Sequence, residues 1–214
     1  MPRSAVSPEK TWQQTKSERT RTAILDAAVS CFYKLGYFNT TTENIAREAG
    51  VSRGAMLHHF PTRADLIEAA VRHLTQARLD RFAEEETQIN EGAEHTRVSE
   101  GIDAYWRMLN TVEFVVFHEL QVAARTDKEL ARVLKPALET YFKRQAGITA
   151  QIFPDLAQSK AFERTVFMTR FLLEGMAVSK LLDDPTVPEN LILGWLKEEL
   201  RESYQDVRNV KRRK

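Results

Sequence analysis

Residues 41–60 read TTENIAREAGVSRGAMLHHF, two short helical segments separated by a single turn. Thr40 with Glu43 fits a capping box, or Thr41 is the cap, and Gly50 ends the first segment. Ser52 is a good N-cap for the second, RGAMLHHF. Ala46 is small where the two helices must cross closely, and Gly50, four residues on, permits the turn between them. Ile45, Ala49, Val51 and Met56 supply the apolar contacts that set the angle between the helices. The spacing is that of a helix-turn-helix. Such a unit lays its second helix in the major groove, with the first residues of that helix against base edges.

The flanking sequence is helical in both directions. From Ser17 to Leu35 the residues Ile24, Leu25, Ala28, Cys31, Phe32 and Leu35 recur at helical spacing, and Gly36 is a natural stop. Residues 1–16 carry Pro2, Pro8 and three basic residues without apolar periodicity, which predicts a flexible arm. After the motif, Pro61 and Thr62 open a long amphipathic helix to about Glu86, with Asp65 near its positive end. TQINEGAEHTRVS, residues 87–99, loses periodicity and reads as a loop. Further helices are expected over 99–110, 111–125, 127–153 with a kink or break at Pro136, 159–182 and 188–206. With no strand pattern and no repeat, the chain is expected to be all-α.

Composition narrows the function classes. The 214 residues are 43% apolar and 29% charged, an ordinary globular balance. No apolar stretch approaches the ~18–20 residues that span a bilayer. The first residues lack the apolar core of a secretory leader, and one cysteine, Cys31, makes no internal disulfide, so a reducing cytoplasm is expected. Cys31 lies on an apolar stripe and reads as packed core rather than a reactive thiol. The net charge of +1 is unevenly spread: residues 1–82 hold 12 Lys+Arg against 8 Asp+Glu, residues 83–206 hold 14 against 22, and the last eight hold five basic residues and no acid. A basic first third suggests that this part meets a polyanion.

The stretch Arg21–Leu66 resembles the DNA-binding domain of the TetR/AcrR family of bacterial transcriptional regulators. The likeness rests on ILDAAVSCFYKLGY and TTTENIAREAGVSRGAMLHHFPTRADLI. It lies in the Phe-x-x-x-Gly end of the first helix, the Thr-Thr helix start, Ile-Ala-x-x-Ala-Gly-Val-Ser, and His-Phe followed by a basic residue and Leu. Two positions depart from the pattern: Leu57 stands where the family usually has Tyr, and Arg63 where it usually has Lys.

The resemblance implies roles residue by residue. Thr40, Thr41 and Thr42 would hold a phosphate at a helix start, and Ser52, Arg53, Gly54 and Ala55 would begin the recognition helix, Arg53 reading guanine or gripping phosphate. Leu57, His58, His59 and Arg63 would complete the DNA face, His59 and Arg63 on backbone phosphate. The organisation implied is an arm (1–16), a helix-turn-helix domain (17–64), a helical effector-binding and dimerisation domain including the connecting helix (65–206), and a basic tail (207–214). The expected partners are a palindromic operator, a second copy of the chain and a small apolar or aromatic effector.

The effector wall is expected to draw on Trp106, Phe114, Phe117, Phe142, Phe167 and Phe171, with His118, Glu119, Arg125 and Arg170 as polar anchors. The dimer face is expected on the last two long helices, from Phe162, Val166, Leu173, Gly175, Met176 and Ala177 on one and Leu191, Ile192, Trp195, Leu196 and Leu200 on the other. His118-Glu119 opens like a zinc-protease HExxH, but position 122 is Val, so the second ligand is missing and no metal or cofactor is expected. No catalytic constellation is present to support the rival reading, a helical enzyme with a coincidental motif. A second rival is a regulator controlled without a small molecule.

Overall fold

The computed structural model describes residues 12–87, 89, 94–154, 159–182, 186 and 188–212. The elements are α1 (Trp12–Leu35), α2 (Thr42–Glu48), α3 (Arg53–His59), α4 (Arg63–Thr87), α5 (Glu94–Leu109), α6 (Val112–Ala123), α7 (Lys128–Ile152), α8 (Lys160–Ser179) and α9 (Glu189–Arg212), with a 3₁₀ turn at Lys180–Leu182. The fold is all-α: a helix-turn-helix head joined through the long α4 to a C-terminal helical body.

Several boundaries move from those expected. Trp12–Lys16 are helical rather than part of the arm, with Lys16 Nζ packed 5.3 Å from the Trp12 ring centre one turn away; residues 1–11 lie outside the described residues. α5 begins at Glu94, inside the expected loop, and brings Val98 onto the same stripe as Ile102 and Leu109. α7 runs on through Pro136 without a break. There the ring costs the one N–H that would bond Arg132, while packed Leu130, Leu134 and Tyr141 hold the helix on either side. α9 continues to Arg212 instead of ending near 206, so most of the expected tail is helix and only residues 213–214 lie outside the described residues.

Among the described residues two apolar cores form, and they do not divide at residue 64. The first joins Ile24, Phe32, Ile45, Met56 and Leu66 of the head to Val116 and Leu120 of α6 and to Leu130 and Leu134 of α7. Cys31 is buried in it, and burial pushes its thiol up. The second gathers Val98, Ile102, Trp106 and Leu109 of α5, Phe114 of α6, Phe162, Leu173 and Met176 of α8 and Leu193, Leu196 and Leu200 of α9. Because α6 and α7 feed the first core, the head is packed directly against the body.

Candidate nucleic-acid interface and interior cavity

The turn of the helix-turn-helix is built by Gly50. Its φ of +65° is the left-handed conformation that glycine adopts without Cβ strain. Gly50 N–H donates to Arg47 O at 3.2 Å and Val51 N–H to Ala46 O at 3.0 Å, closing the last turn of α2. At the start of α2, Thr41 is the cap: its hydroxyl accepts from Asn44 N–H at 3.1 Å, and Asn44 Oδ1 accepts from Thr41 N–H at 3.1 Å. Asn44 completes this box, and Glu43 takes no part. Ser52 caps α3, accepting from Ala55 N–H at 3.2 Å.

These caps present α3 edge-outward. Ser52, Arg53, Gly54, Leu57 and His58 are exposed in one patch with Thr41 and Arg63 beside it, and Thr42, Ala55 and His59 are half-buried at its margin. Thr40 falls outside the patch. It is buried, and its hydroxyl donates to Gly36 O at 2.8 Å, so it closes the α1–α2 turn instead of facing a phosphate. Leu57, 46% exposed, places an apolar side chain on this surface. Burial, with the charges of His58 and Arg21 nearby, pushes His59 below its ordinary pKa, so near neutral pH it offers a neutral imidazole. Arg63 lies 5.1 Å from the Tyr37 ring centre. One of its N–H groups donates to the Tyr37 phenol oxygen at 3.4 Å, and the guanidinium keeps its charge beside the patch.

Tyr37 ties this surface to the body. Its N–H donates to Glu119 Oε1 at 3.0 Å and its hydroxyl donates to Asp127 Oδ2 at 2.9 Å. Glu119, expected in an effector site, therefore holds the turn after α1. Asp127 is at once the N-cap of α7, accepting from Leu130 N–H at 2.9 Å.

Within the body lies a cavity of about 390 Å³ between α4, α5, α7 and α8, with Leu200 of α9 at one end. Of the expected effector residues, Phe142, Phe167 and Arg170 line it. The others lie elsewhere. Trp106 is buried in the second core with its Nε1 donating to Glu189 Oε1 at 2.7 Å. Lys180 and that indole N–H hold the Glu189 carboxyl below the usual range. Phe114 is core and stacks on His118, Phe117 is core against Tyr141, and Arg125 and Phe171 are exposed. Sequence reasoning missed Phe82, Ile102, Tyr105, Met108, Phe153 and Thr169, which line the same space. Nothing in their local sequence sets them apart, and only the gap between four helices distinguishes them.

The expected dimer residues also separate. Phe162, Leu173, Met176, Ala177, Leu196 and Leu200 are buried within the single chain, and Val166 and Ile192 are packed against them, so these eight are intrachain core. Gly175, Leu191 and Trp195 stay exposed. Also exposed on α8 are Phe167, at the edge of the cavity, Met168 and Phe171, at 46%, 71% and 61% exposure.

The chain resembles known proteins along most of its length. An uncharacterized HTH-type transcriptional regulator of Mycobacterium tuberculosis is 26% identical over 186 residues, covering 84% of this chain and 92% of that protein. The HTH-type transcriptional regulator TtgR of Pseudomonas putida is 40% identical over 82 residues, 36% of this chain and 39% of that protein. Among solved structures, the multidrug binding protein EbrR, complexed with imidazole, superposes with a TM-score of 0.59 at 21% identity, covering 86% of this chain and 93% of that one, a likeness of fold. Residues 24–70, which hold the capped turn and the exposed α3, match the family of bacterial regulatory proteins, tetR family. Over these residues the chain carries a domain of the tetR family, a helix-turn-helix head of the kind found in bacterial regulatory proteins.

Proposed function

We propose that the protein is a homodimeric repressor that binds a palindromic operator and leaves it when a small apolar or aromatic molecule occupies the body cavity. The observation that carries this reading is the joint presence of an exposed α3 edge, with Arg53, Gly54 and His58 outermost, and a cavity walled by aromatic rings in the helices behind it. The exposed Phe167, Met168 and Phe171 of α8 and Leu191 and Trp195 of α9 support pairing with a second copy, because a second copy would take these large apolar side chains out of water. EbrR, of the same fold, is a multidrug binding protein, which supports a small-molecule ligand for the body. The mechanism needs no catalysis, and its setting is the cytoplasm, with the DNA.

Two α3 helices in a dimer must lie on the order of 34 Å apart to enter successive major grooves. A ligand that binds one spacing better than the other shifts the population; one that binds both equally changes nothing. The test is a mobility-shift titration with DNA from upstream of the protein's own gene. A sequence-preferring complex is expected, with affinity falling steeply as salt rises because several phosphates are neutralised. Absence of such a complex at every salt concentration overturns the reading.

A further inference from the structure

We infer that the cavity takes a ligand with an apolar body and an anionic head group, a carboxylate or its isostere, the head seated on Arg170 and Thr169. The inference rests on the effector reading above and names the chemical class of ligand.

The walls suit an apolar body, with Phe82, Ile102, Met108, Phe142 and Phe153 facing the space. The polar groups on those walls are unevenly committed. The Tyr105 hydroxyl donates to Glu174 Oε1 at 2.9 Å, and Glu85 pairs with Arg107 at 2.6 Å. Thr169 Oγ1 and Arg170 Nε, by contrast, are buried atoms without a hydrogen-bond partner. A buried N–H left unpaired is costly, and an acceptor supplied by a ligand removes that cost.

Arg170 is held for this task. Its guanidinium carbon lies 4.4 Å from the Phe142 ring centre, 4.5 Å from Phe171 and 5.4 Å from Phe167. Rings against its faces fix the plane of the group, and the N–H donors at its edge remain for a planar acceptor such as a carboxylate.

The surrounding charge favours an anion as well. Arg78, on α4, is 6% exposed, with Nη1 unpaired and its guanidinium 3.7 Å from the Phe117 ring centre and 4.2 Å from Tyr141. The Tyr141 hydroxyl is likewise buried without a partner, and burial pushes that phenol up, so it remains a protonated donor. Arg78 and Arg170 both act on Tyr141, against the carboxylate of Glu174, which already accepts from Tyr105. Of the two acids on the cavity wall, Glu85 is paired with Arg107, and Glu163 is exposed to water and lies two turns from Arg170 on α8, about 10 Å away along the axis. A cationic ligand would meet Arg170 on the wall, with Arg78 in the packing behind it, and would lose part of its own hydration there.

The test compares three ten-carbon probes on the full-length protein by isothermal titration at pH 7.5, each below its micellar concentration: decanoate, decan-1-ol and decyltrimethylammonium. Decanoate is expected to bind about tenfold or more tighter than decanol, the scale of one charge-assisted hydrogen bond, and the ammonium probe weakest. Arg170→Gln is expected to bring decanoate to within about twofold of decanol, with a circular-dichroism melting curve like that of wild type showing that the body remains folded. Arg170→Lys is expected to restore part of the ratio and Thr169→Val to reduce it. Tightest binding by the ammonium probe, a decanoate preference unchanged in Arg170→Gln, or no binding by any probe overturns the inference. Release of DNA is measured in parallel. Arg170-dependent decanoate binding that leaves the DNA complex intact sinks the effector reading alone; release by decanol or the ammonium probe but not by decanoate sinks the anion site alone.

Discussion

The backbone N–H of Tyr37 donates to Glu119 Oε1 at 3.0 Å, joining the turn after α1 to the middle of α6. The same carboxylate oxygen lies 3.1 Å from where a Cβ on Gly36 would stand, and Gly36 has a φ of +75°. The turn therefore closes on the acid only because residue 36 is glycine. Through its phenol Tyr37 also reaches Asp127 at the start of α7, and Arg63 at the start of α4 donates to that phenol oxygen at 3.4 Å. One residue thus ties the starts of α4 and α7 and the middle of α6 to the turn after α1.

Removing Glu119 tests this link. Glu119→Ala leaves the part-buried Tyr37 N–H without its acceptor, and a loss of about 1–3 kcal/mol in unfolding free energy is expected. Glu119→Gln keeps an oxygen in place and is expected to lose less. Urea denaturation of both variants, followed by circular dichroism, checks the order.

Asp127 carries a pH signature. The Leu130 N–H, then the Tyr37 hydroxyl, hold its carboxyl below the ordinary carboxylate value against the opposing effect of burial. A depressed folded pKa stabilises the fold fully above the ordinary value of about 4 and is lost as pH falls through the folded value. Asp127→Ala is therefore expected to cost about 1–2 kcal/mol near pH 7, the usual scale for an N-cap. The gap from wild type should narrow below about pH 4. Denaturation midpoints from pH 7 to pH 3 decide it; a constant gap counts against the assignment.

Gly54 separates stability from DNA binding. A Cβ there would meet only Ser52 Oγ at 3.9 Å, so Gly54→Ala has room and gains helix propensity, up to about 1 kcal/mol. On the exposed α3 edge the same methyl group would hold the backbone off a DNA strand. Higher thermal stability with weaker operator binding is the expected pair of results. Arg53→Ala, fully at the surface, is expected to leave stability unchanged and to cost about 1–3 kcal/mol in binding.

Trp195 and Leu196 are neighbours with opposite expected phenotypes. Trp195 is 55% exposed on the outer face of α9, and Leu196 is 4% exposed in the second core. Trp195→Glu should convert a dimer of twice 24.6 kDa into a monomer in light scattering with the chain still folded. Leu196→Ala should keep the mass and lower unfolding free energy by about 2–5 kcal/mol. Equal masses for wild type and Trp195→Glu at micromolar concentration remove α9 from the interface.

The exposed α3 surface was largely legible because its determinants are local. Ser52 at a cap and Gly50 at a left-handed turn act within a few residues, so the motif predicts α2, the turn and α3 at close to their observed positions. Thr40 escaped this reading, since only the closed α1–α2 turn reveals that its hydroxyl is taken by Gly36. Helix ends were less legible where no strong stop occurs: nothing after Asp206 breaks α9, and nothing before Glu94 announces α5.

By itself, then, the sequence determined the helical class, the capped turn and the identity of the exposed α3 edge, because propensity, capping and glycine conformation are short-range properties. Only the tertiary structure decided which apolar residues of α8 and α9 face inward. Phe167, Met168, Phe171, Leu173, Met176 and Ala177 cover more than one side of α8, and a helix that is apolar on several sides does not declare which stripe its neighbours bury. The cavity is a product of the same packing. It forms where α4, α5, α7 and α8 stand apart, a distance that depends on every helix at once and on no single segment.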